Sequence, residues 1–194
     1  MSQDERISRS ELRVRRAVDT DARQMAALHV AASLQAYAEL MPDRELRAIT
    51  PAERARRWAQ CLAAANADDA ILVAELNVRI LGLGHCGPQR TPALPCPGEF
   101  FCVYVDPETQ RRGVGTALMA VMARFLIGRG MNAASLWVAR DNGPARRFYD
   151  RLGGVVWAER EEARSGFTLA EVAYGWRDLA TIVNGAAECD PTQA

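Results

Sequence analysis

The sequence contains no lysine, and all 24 of its basic residues are arginine. This absence excludes a Schiff-base lysine, a catalytic lysine base and the lysine of a nucleotide-triphosphate loop. The five cysteines include no CxxC pair, and no segment approaches the run of about 18 apolar residues that a membrane helix requires. The first residues are polar and charged, unlike an apolar signal segment. We therefore expect a reduced, cytoplasmic protein with no membrane partner.

The sequence also carries no net charge, because 24 arginines balance 24 acidic residues. A protein that holds long nucleic acid needs a basic excess, so nucleic acid is not an expected partner. The balance is uneven along the chain. Residues 110–151 contain eight arginines against Asp141 and Asp150, an excess of +6, and the remainder carries −6. This distribution indicates a binding region for a compact anionic ligand.

The hydrophobic patterns predict one domain with short extensions. We expect a flexible arm over residues 1–10, a single domain over residues 11–176 and a tail over residues 177–194. Strand-like and helix-like segments follow one another in the order β-α-α-β-β-β-α-β-α-β-β. This order predicts an α/β (α+β) fold in which helices flank a mixed sheet, without the regular alternation of a doubly wound fold.

Several helix boundaries have clear signals. Asp19 or Thr20 can cap a first helix, and Thr50 can cap a second, with Pro51 in its first turn. The clearest helix is an apolar stripe at helical period from Val114 to Phe125, which follows a buried strand.

The segment between that strand and that helix is a candidate anion site. It reads Gln110-Arg111-Arg112-Gly113-Val114-Gly115-Thr116. Glycines let the backbone approach a ligand, and the free N–H groups of a helix start suit a pyrophosphate. A tight turn with solvated arginines explains the same residues equally well. A second glycine run, residues 82–87, matches GxGxxG but precedes a proline-rich loop rather than a helix, which argues against nicotinamide binding.

Two motifs in the right order resemble those of the GNAT N-acetyltransferase superfamily. Residues 110–115 resemble its Q/R-x-x-G-x-G/A signature, and residues 142–153 resemble its N-x-x-A-x-x-F-Y-x-x-x-G element. The layout of residues 12–176 is similar as well. The resemblance implies a GNAT-like, mostly antiparallel central sheet of six to seven strands flanked by about four helices. Gly154 departs from the family, which commonly has phenylalanine there, and we expect thinner local packing at this position.

The resemblance also implies acetyl-CoA as the donor and a small-molecule or peptide amine as the acceptor, which attacks the thioester directly. It implies that Val103 and Val105 pair through their backbone with the pantetheine arm, and that Asn142 bonds the same region. The expected contacts to the pyrophosphate and its surroundings come from Gln110, Arg111, Arg112, Gly113, Val114, Gly115 and Thr116.

Two residues are candidates for proton transfer. The resemblance places Tyr149 near the sulfur, and a tyrosine hydroxyl, which is protonated at neutral pH, is a credible acid for a departing thiolate. Packing beside Phe148 is the alternative role. Glu99 matches a glutamate that the family often uses as a base through water, and a solvated acid at a strand start is the alternative. Strand alternation predicts that Glu99 shares a sheet face with Val103 and Val105.

Histidines and cysteines are weaker candidates. His29 and His85 are single histidines on regular elements, where a structural role is more common than catalysis. The spacing of His85, Cys86, Cys96 and Cys102 does not fit paired zinc ligands, so no metal is expected. Cys86 and Cys102 lack the partners of a nucleophile, and buried thiols explain them better.

The resemblance places the acceptor between the first two helices and the last hairpin, at about residues 30–60 and 157–170. Acids in these regions would suit a cationic amine, although they are equally typical of solvated surface. The candidate residues there are Tyr37, Glu39, Asp43, Glu159, Glu161 and Glu162. A homodimer is a family-level expectation. The alternative function is a non-catalytic acyl-CoA-binding or regulatory module of the same fold.

Overall fold

The computed structural model describes residues 11–91, 94–164 and 166–188, so the predicted arm at 1–10 lies outside the described residues. Within them the chain forms one sheet from β1 (Arg13–Arg16), β2 (Ala70–Leu76), β3 (Arg79–Pro88), β4 (Gly98–Val105), β5 (Ala134–Ala139), β6 (Val155–Arg164) and β7 (Phe167–Trp176). The strand order is β1-β2-β3-β4-β5-β7-β6. Only β4 and β5 pair in parallel among these strands. The prediction of a mixed, mostly antiparallel sheet is confirmed.

Helices cover both faces of the sheet. They are α1 (Ala22–Tyr37), α2 (Asp43–Arg47), α3 (Pro51–Ala64), α4 (Val114–Gly128), α5 (Gly143–Arg151) and α6 (Ala180–Glu188). Helices α1 and α3 pack together on one face, and α4 packs with α6 on the other. None of the described helices is long and apolar enough to cross a membrane. The two helices beyond the predicted four are the short α2 and α6.

Each face has its own apolar core. On the α4 face, Leu118 and Met122 are fully buried against Phe100 of β4. Gly82 and Gly84 of β3 permit this close packing, because an added Cβ at either position would come within 2.8 Å of a Leu118 or Met122 side chain. The glycine run of residues 82–87 thus lies inside a strand under a helix, where it has a packing role.

Capping explains where two of the helices begin. The Thr50 hydroxyl accepts the Glu53 N–H at 3.3 Å, as the sequence predicted for α3. The first helix differs from the prediction, because Asp19 and Thr20 belong to a short 3-10 turn that precedes α1. Asp21 pairs with Arg15 at 2.6 Å instead of capping the helix, and this contact ties the start of α1 to β1.

The segment predicted as a tail contains α6, and the packed part of the chain therefore extends past Trp176. Leu179 is 0% exposed and Ile182 is 1% exposed, and both belong to the core of the α4 face. The Leu179 N–H donates to the Asn132 carbonyl at 2.9 Å, which fixes the segment beside the start of β5. The helix has only nine residues, four of them alanine or glycine, so its helical period is difficult to recognise in the sequence.

The sheet is open between its two parallel strands. β4 and β5 pair only through Gly98 with Ala134 and Glu99 with Ser135. A bulge interrupts the pairing of β4 with β3 at Phe101, where the register shifts between His85 and Cys86. A bulge bends its strand, and beyond it β4 no longer pairs with β5. We call the opening beyond Glu99 and Ser135 the β4–β5 gap.

Replacing Ile182 with alanine tests whether α6 is part of the core. We expect Ile182→Ala to lower the free energy of unfolding by about 2–5 kcal/mol, because it leaves a cavity in a buried cluster. Asn184→Ala, an exposed position on the same helix, should change it by about 0.5 kcal/mol or less. Urea denaturation measures both, and equal effects of the two variants would contradict the packing of α6.

Candidate functional site

The backbone of β4 turns unpaired groups toward the β4–β5 gap. The Asp106 N–H donates to the Leu81 carbonyl at 2.9 Å. Because hydrogen-bonded pairs alternate in an antiparallel ladder, this bond means that Tyr104 bonds to β3 and that Val103 and Val105 do not. The N–H and C=O groups of Val103 and Val105 therefore point toward β5, which has left the ladder at this point. These are the two residues that the sequence predicted to bind through their backbone.

The loop before α4 presents free N–H groups beside the same gap. Gly113 precedes the helix with φ of 88°, a conformation that favours glycine, and an added Cβ there would meet nothing within 4 Å. The first α4 amide with an acceptor is that of Ala117, which bonds to the Gly113 carbonyl at 3.0 Å. Within the described ranges the amides at 114–116 have no acceptor. Together with the helix dipole they make a candidate site for an anion.

The other loop residues have individual roles. The Gln110 side chain donates to the Gln35 side chain at 2.7 Å, which ties the loop to α1. Arg111 is exposed and Arg112 is half-buried. Gly115 serves packing, because a Cβ there would lie 3.2 Å from the Phe148 ring. The glycine thus lets α5 lie against the first turn of α4.

The basic excess of residues 110–151 is spread more widely than the sequence indicated. Arg129 lies just beyond the far end of α4 and pairs with Asp68 at 3.3 Å. Arg140 follows β5 and pairs with Glu161 at 3.2 Å. Arg111 and Arg112 are the arginines of this segment that belong to the loop before α4. The anion site therefore depends mainly on backbone N–H groups and two arginines.

Asn142 begins α5 and thereby orients the residues behind it. Its side-chain oxygen accepts the Ala145 N–H at 3.2 Å, so this oxygen is used as a helix cap and the amide NH₂ group is left for other contacts.

The expectation of thin packing at Gly154 is wrong. The Trp176 ring occupies that space, since a Cβ on Gly154 would lie 2.7 Å from it, and the ring N–H donates to the Leu152 carbonyl at 2.9 Å.

Tyr149 is buried on α5 and belongs to the core of the α4 face. Its ring packs against Tyr174, with centroids 5.6 Å apart, and edge-on against Trp176. Its hydroxyl has no hydrogen-bond partner in the part of the chain that the structure describes. Burial raises the pKa of Tyr149, and the nearby Tyr37 and Cys102 raise it further. The hydroxyl therefore stays protonated at neutral pH.

Glu99 lies on the α1 face, so the prediction that it shares a face with Val103 and Val105 is wrong. The bulge at Phe101 inserts one residue into the alternation, so that Phe100 joins the α4 face with Val103 and Val105. Glu99 is 4% exposed, and Arg90 holds its carboxylate through its backbone N–H at 2.9 Å and its guanidinium at 2.7 Å.

Glu99 borders a cavity of about 410 Å³ on the α1 face. The cavity lies between α1, β4 and the β5-β7-β6 part of the sheet, next to the point where β4 and β5 part. Its lining consists of Tyr37, Arg90, Thr91, Glu99, Phe101, Tyr104, Trp137, Arg160, Arg164 and Glu171. Two arginine side chains cover aromatic rings there, with Arg90 3.7 Å from the Phe101 centroid and Arg160 4.0 Å from the Trp137 centroid.

The residues predicted to bind the acceptor do not form one site in the structure. Tyr37 lines the cavity beside Glu99, whereas Glu39 and Glu161 line a second cavity of about 280 Å³. The remaining acids face arginines: Asp43 pairs with Arg47, Glu159 with Arg140 and Glu162 with Arg160. The arginine-rich lining of the larger cavity, drawn from β6 and the loop after β3, was missed because its members are far apart in sequence.

Both histidines are packed on the α1 face as neutral rings. The Trp58 N–H donates to His29 Nδ1 at 3.2 Å, and His29 stacks on Tyr104. Burial lowers the pKa of His29 to about 4, with Arg54 and Arg57 contributing. Burial likewise lowers the pKa of His85 to about 4, and its Nε2 is buried without a partner among the described residues.

The cysteines considered as zinc ligands or nucleophiles lie apart. Cys86 packs in the core of the α4 face, and Cys102 packs on the α1 face. Burial raises the pKa of each thiol to about 12. The described residues contain no group of three or more histidine, cysteine or acidic side chains that could hold a metal ion. These thiols are therefore protonated packing residues.

A mixed, mostly antiparallel sheet that opens between two parallel strands, with free helix-start amides at the opening, is shared with solved N-acetyltransferases. The chain belongs to the acetyltransferase (GNAT) family, whose model matches residues 34–154. It is 28% identical over 169 residues to YuaI of Bacillus subtilis, an uncharacterized N-acetyltransferase, covering 87% of this chain and 95% of YuaI. It is also 36% identical over 91 residues to the mycothiol acetyltransferase of Arthrobacter sp. strain FB24, covering 45% of this chain and only 27% of that relative.

Solved structures share the whole fold at low sequence identity. PaiA N-acetyltransferase of Thermoplasma acidophilum, in complex with coenzyme A, has a TM-score of 0.65 at 14% identity, covering 85% of this chain and 99% of that one. YncA of Salmonella typhimurium, with its cofactor acetyl-CoA, has a TM-score of 0.63 at 19% identity, covering 87% of this chain and 94% of YncA. The prediction of a GNAT fold is confirmed.

Because His85 is buried as a neutral ring, we expect the free energy of unfolding to depend on pH. Its pKa of about 4 lies below the ordinary 6.5, so the unfolded chain binds a proton here before the folded chain does. The contribution of His85 to the free energy of unfolding is therefore fully present above about pH 6.5, and it is lost as the pH falls toward 4. His85→Gln should reduce the loss of unfolding free energy between pH 7.5 and pH 5.0 by about 1 kcal/mol, with partial solvent access taken into account. Urea denaturation at both pH values measures this loss, and an unchanged loss would show that His85 titrates normally.

Proposed function

We propose that this protein is an N-acetyltransferase that moves an acetyl group from acetyl-CoA to a primary amine, by direct attack in a ternary complex. The observation that carries the proposal is the β4–β5 gap. Unpaired main-chain groups of Val103 and Val105 line it, and free amides of α4 lie beside it. We place the buried Tyr149 of the adjoining α5 at this gap. Membership of the GNAT family and solved relatives with coenzyme A or acetyl-CoA support the same conclusion.

The donor side of the gap fits the parts of acetyl-CoA one by one. The backbone of Val103 and Val105 offers ladder partners for the amides of an extended pantetheine arm. The amides at 114–116, with Arg111 and Arg112, offer donors for the pyrophosphate. Bound acetyl-CoA supplies an activated thioester, whose sulfur must leave as a thiol.

Tyr149 is the proposed acid, and Glu99 is the proposed base. Tyr149 retains its proton at neutral pH because burial raises its pKa, so its hydroxyl can donate to the leaving sulfur. Glu99 lines the cavity where the amine would enter. Its carboxylate accepts three N–H bonds from Arg90, which leaves about one further lone-pair direction for a water or an amine.

Gly113→Ala tests the donor site. At φ of 88° a side chain costs about 1–2 kcal/mol, and its Cβ would enter the open space before the free amides. We expect the Kd for CoA to rise at least about tenfold, measured by calorimetry. Gly130→Ala is the matched control, since Gly130 has φ of 77° and equally open space just beyond the other end of α4. It should lose similar stability and bind CoA normally, and equal CoA affinity in both variants would contradict the site.

Tyr149→Phe tests the proton donor. Loss of general acid catalysis should lower kcat about 10²- to 10⁴-fold and leave the Kd for CoA unchanged, as followed by thiol release and calorimetry. Tyr174→Phe is the matched control, because the neighbouring Tyr174 hydroxyl donates to Asp150 at 2.8 Å and should affect stability only. An unchanged kcat in Tyr149→Phe would refute the acid role. CoA binding without turnover on any amine in a broad panel would instead indicate a binding module.

A further inference from the structure

The larger cavity carries more cationic than anionic side chains. Its lining includes Arg90, Arg160 and Arg164 against Glu99 and Glu171. A cavity that accepted only a cationic amine would be expected to present unpaired carboxylates, because a second cation is repelled by arginine. Both carboxylates here are already bonded by arginines. The lining therefore has one arginine more than it has carboxylates, and this excess positive charge favours a ligand that carries an anionic group.

Of the three arginines in the lining, Arg164 is the one whose only carboxylate partner is shared with another arginine. Arg90 pairs with Glu99 at 2.7 Å, and Arg160 pairs with Glu171 at 2.7 Å and with Glu162 at 2.9 Å. Arg164 makes one contact, at 3.2 Å, to the Glu171 carboxylate that Arg160 already holds. A guanidinium has five N–H donors. The Arg164 side chain is 42% exposed and its other donors have no acceptor in the described part of the chain, so they are open to water or to a ligand.

Tyr37 offers a further polar group on the same side of the cavity. It lies close enough to Glu171 and Arg164 for both to influence its pKa, which burial raises, so its hydroxyl remains a donor at neutral pH. With Arg160 and Arg164 on β6 and Glu171 on β7, donors outnumber acceptors on this side of the cavity.

We propose that the acceptor is an amine that also carries a carboxylate, of amino-acid size, and that Arg164 binds this carboxylate. The inference rests on the proposed function. Glu99 marks the end of the cavity next to the β4–β5 gap, where the amine must meet the thioester, and Arg164 lies at the end of β6. A volume of about 410 Å³ is within the range of small-molecule sites. The acids that the sequence suggested for a cationic amine either pair with arginines or line the smaller cavity.

The experiment uses the full chain loaded with CoA and a panel of matched probes. The standard L-amino acids are each compared with the corresponding amino-acid amide, which keeps the amine and loses the carboxylate, and spermidine serves as a polycation. Calorimetry measures binding, and thiol release from acetyl-CoA measures transfer. We expect at least one amino acid to bind about 10- to 100-fold more tightly than its amide, as for other charge-assisted hydrogen bonds.

Arg164→Gln should remove that preference by weakening the amino acid about 10- to 100-fold while leaving its amide unchanged. Arg129→Gln is the matched control, since it removes one arginine that also contacts a single acid, Asp68, beyond the far end of α4. Equal binding of acids and amides, binding of spermidine alone, no binding of any amino acid, or an Arg164→Gln variant with the wild-type preference would each overturn the inference. Failure of the proposed function is a separate result, namely no CoA affinity or no transfer to any amine.

Discussion

β4 and β5 remain hydrogen-bonded for only two residue pairs, and the arrangement of the rest of the site depends on their separation beyond Glu99 and Ser135. Main-chain groups removed from water without partners are costly, so a strand that leaves its neighbour inside a sheet needs a substitute partner. The bulge at Phe101 bends β4, and Phe148 of α5 packs against Gly115 of α4 beside the opening. The unpaired groups of β4 thus form an extended edge in the middle of the molecule, which a ligand can complete.

The gap also separates two chemically different sides. On the α4 face, free amides and two arginines form an anion site beside buried apolar residues. On the α1 face, a cavity is lined by paired glutamates and arginines. Tyr149 belongs to the first face, and its hydroxyl has no hydrogen-bond partner among the described residues. In the proposed mechanism, a donor and an acceptor bound on opposite sides meet at this hydroxyl.

The sequence predicted the elements around the proposed donor site well, because their signals are local. The apolar stripe of α4, the glycines before it and the motif around Tyr149 each lie within a few residues of one another, and the structure has the predicted elements at these places. The acceptor side could not be predicted in the same way. A bulge has no signature in the alternation of β4, so Glu99 was assigned to the wrong face. Arg90 and Arg164 line one cavity because the fold brings the loop after β3 and the end of β6 to the same face of the sheet, and local patterns do not encode that placement. The helix α6 has only nine residues, fewer than the window of about 11–18 residues over which helical periodicity is recognised, so a tail was predicted where the structure has a buried helix.

In the proposed complex, acetyl-CoA occupies the β4–β5 gap and pairs with the backbone that β5 leaves open. Residue-resolved amide hydrogen exchange with and without acetyl-CoA tests this pairing. We expect the amides of Val103, Val105 and residues 114–116 to exchange more slowly in the presence of acetyl-CoA, while those of the edge strand β6 do not change. Binding of acetyl-CoA that leaves the exchange of Val103 and Val105 unaltered would contradict it.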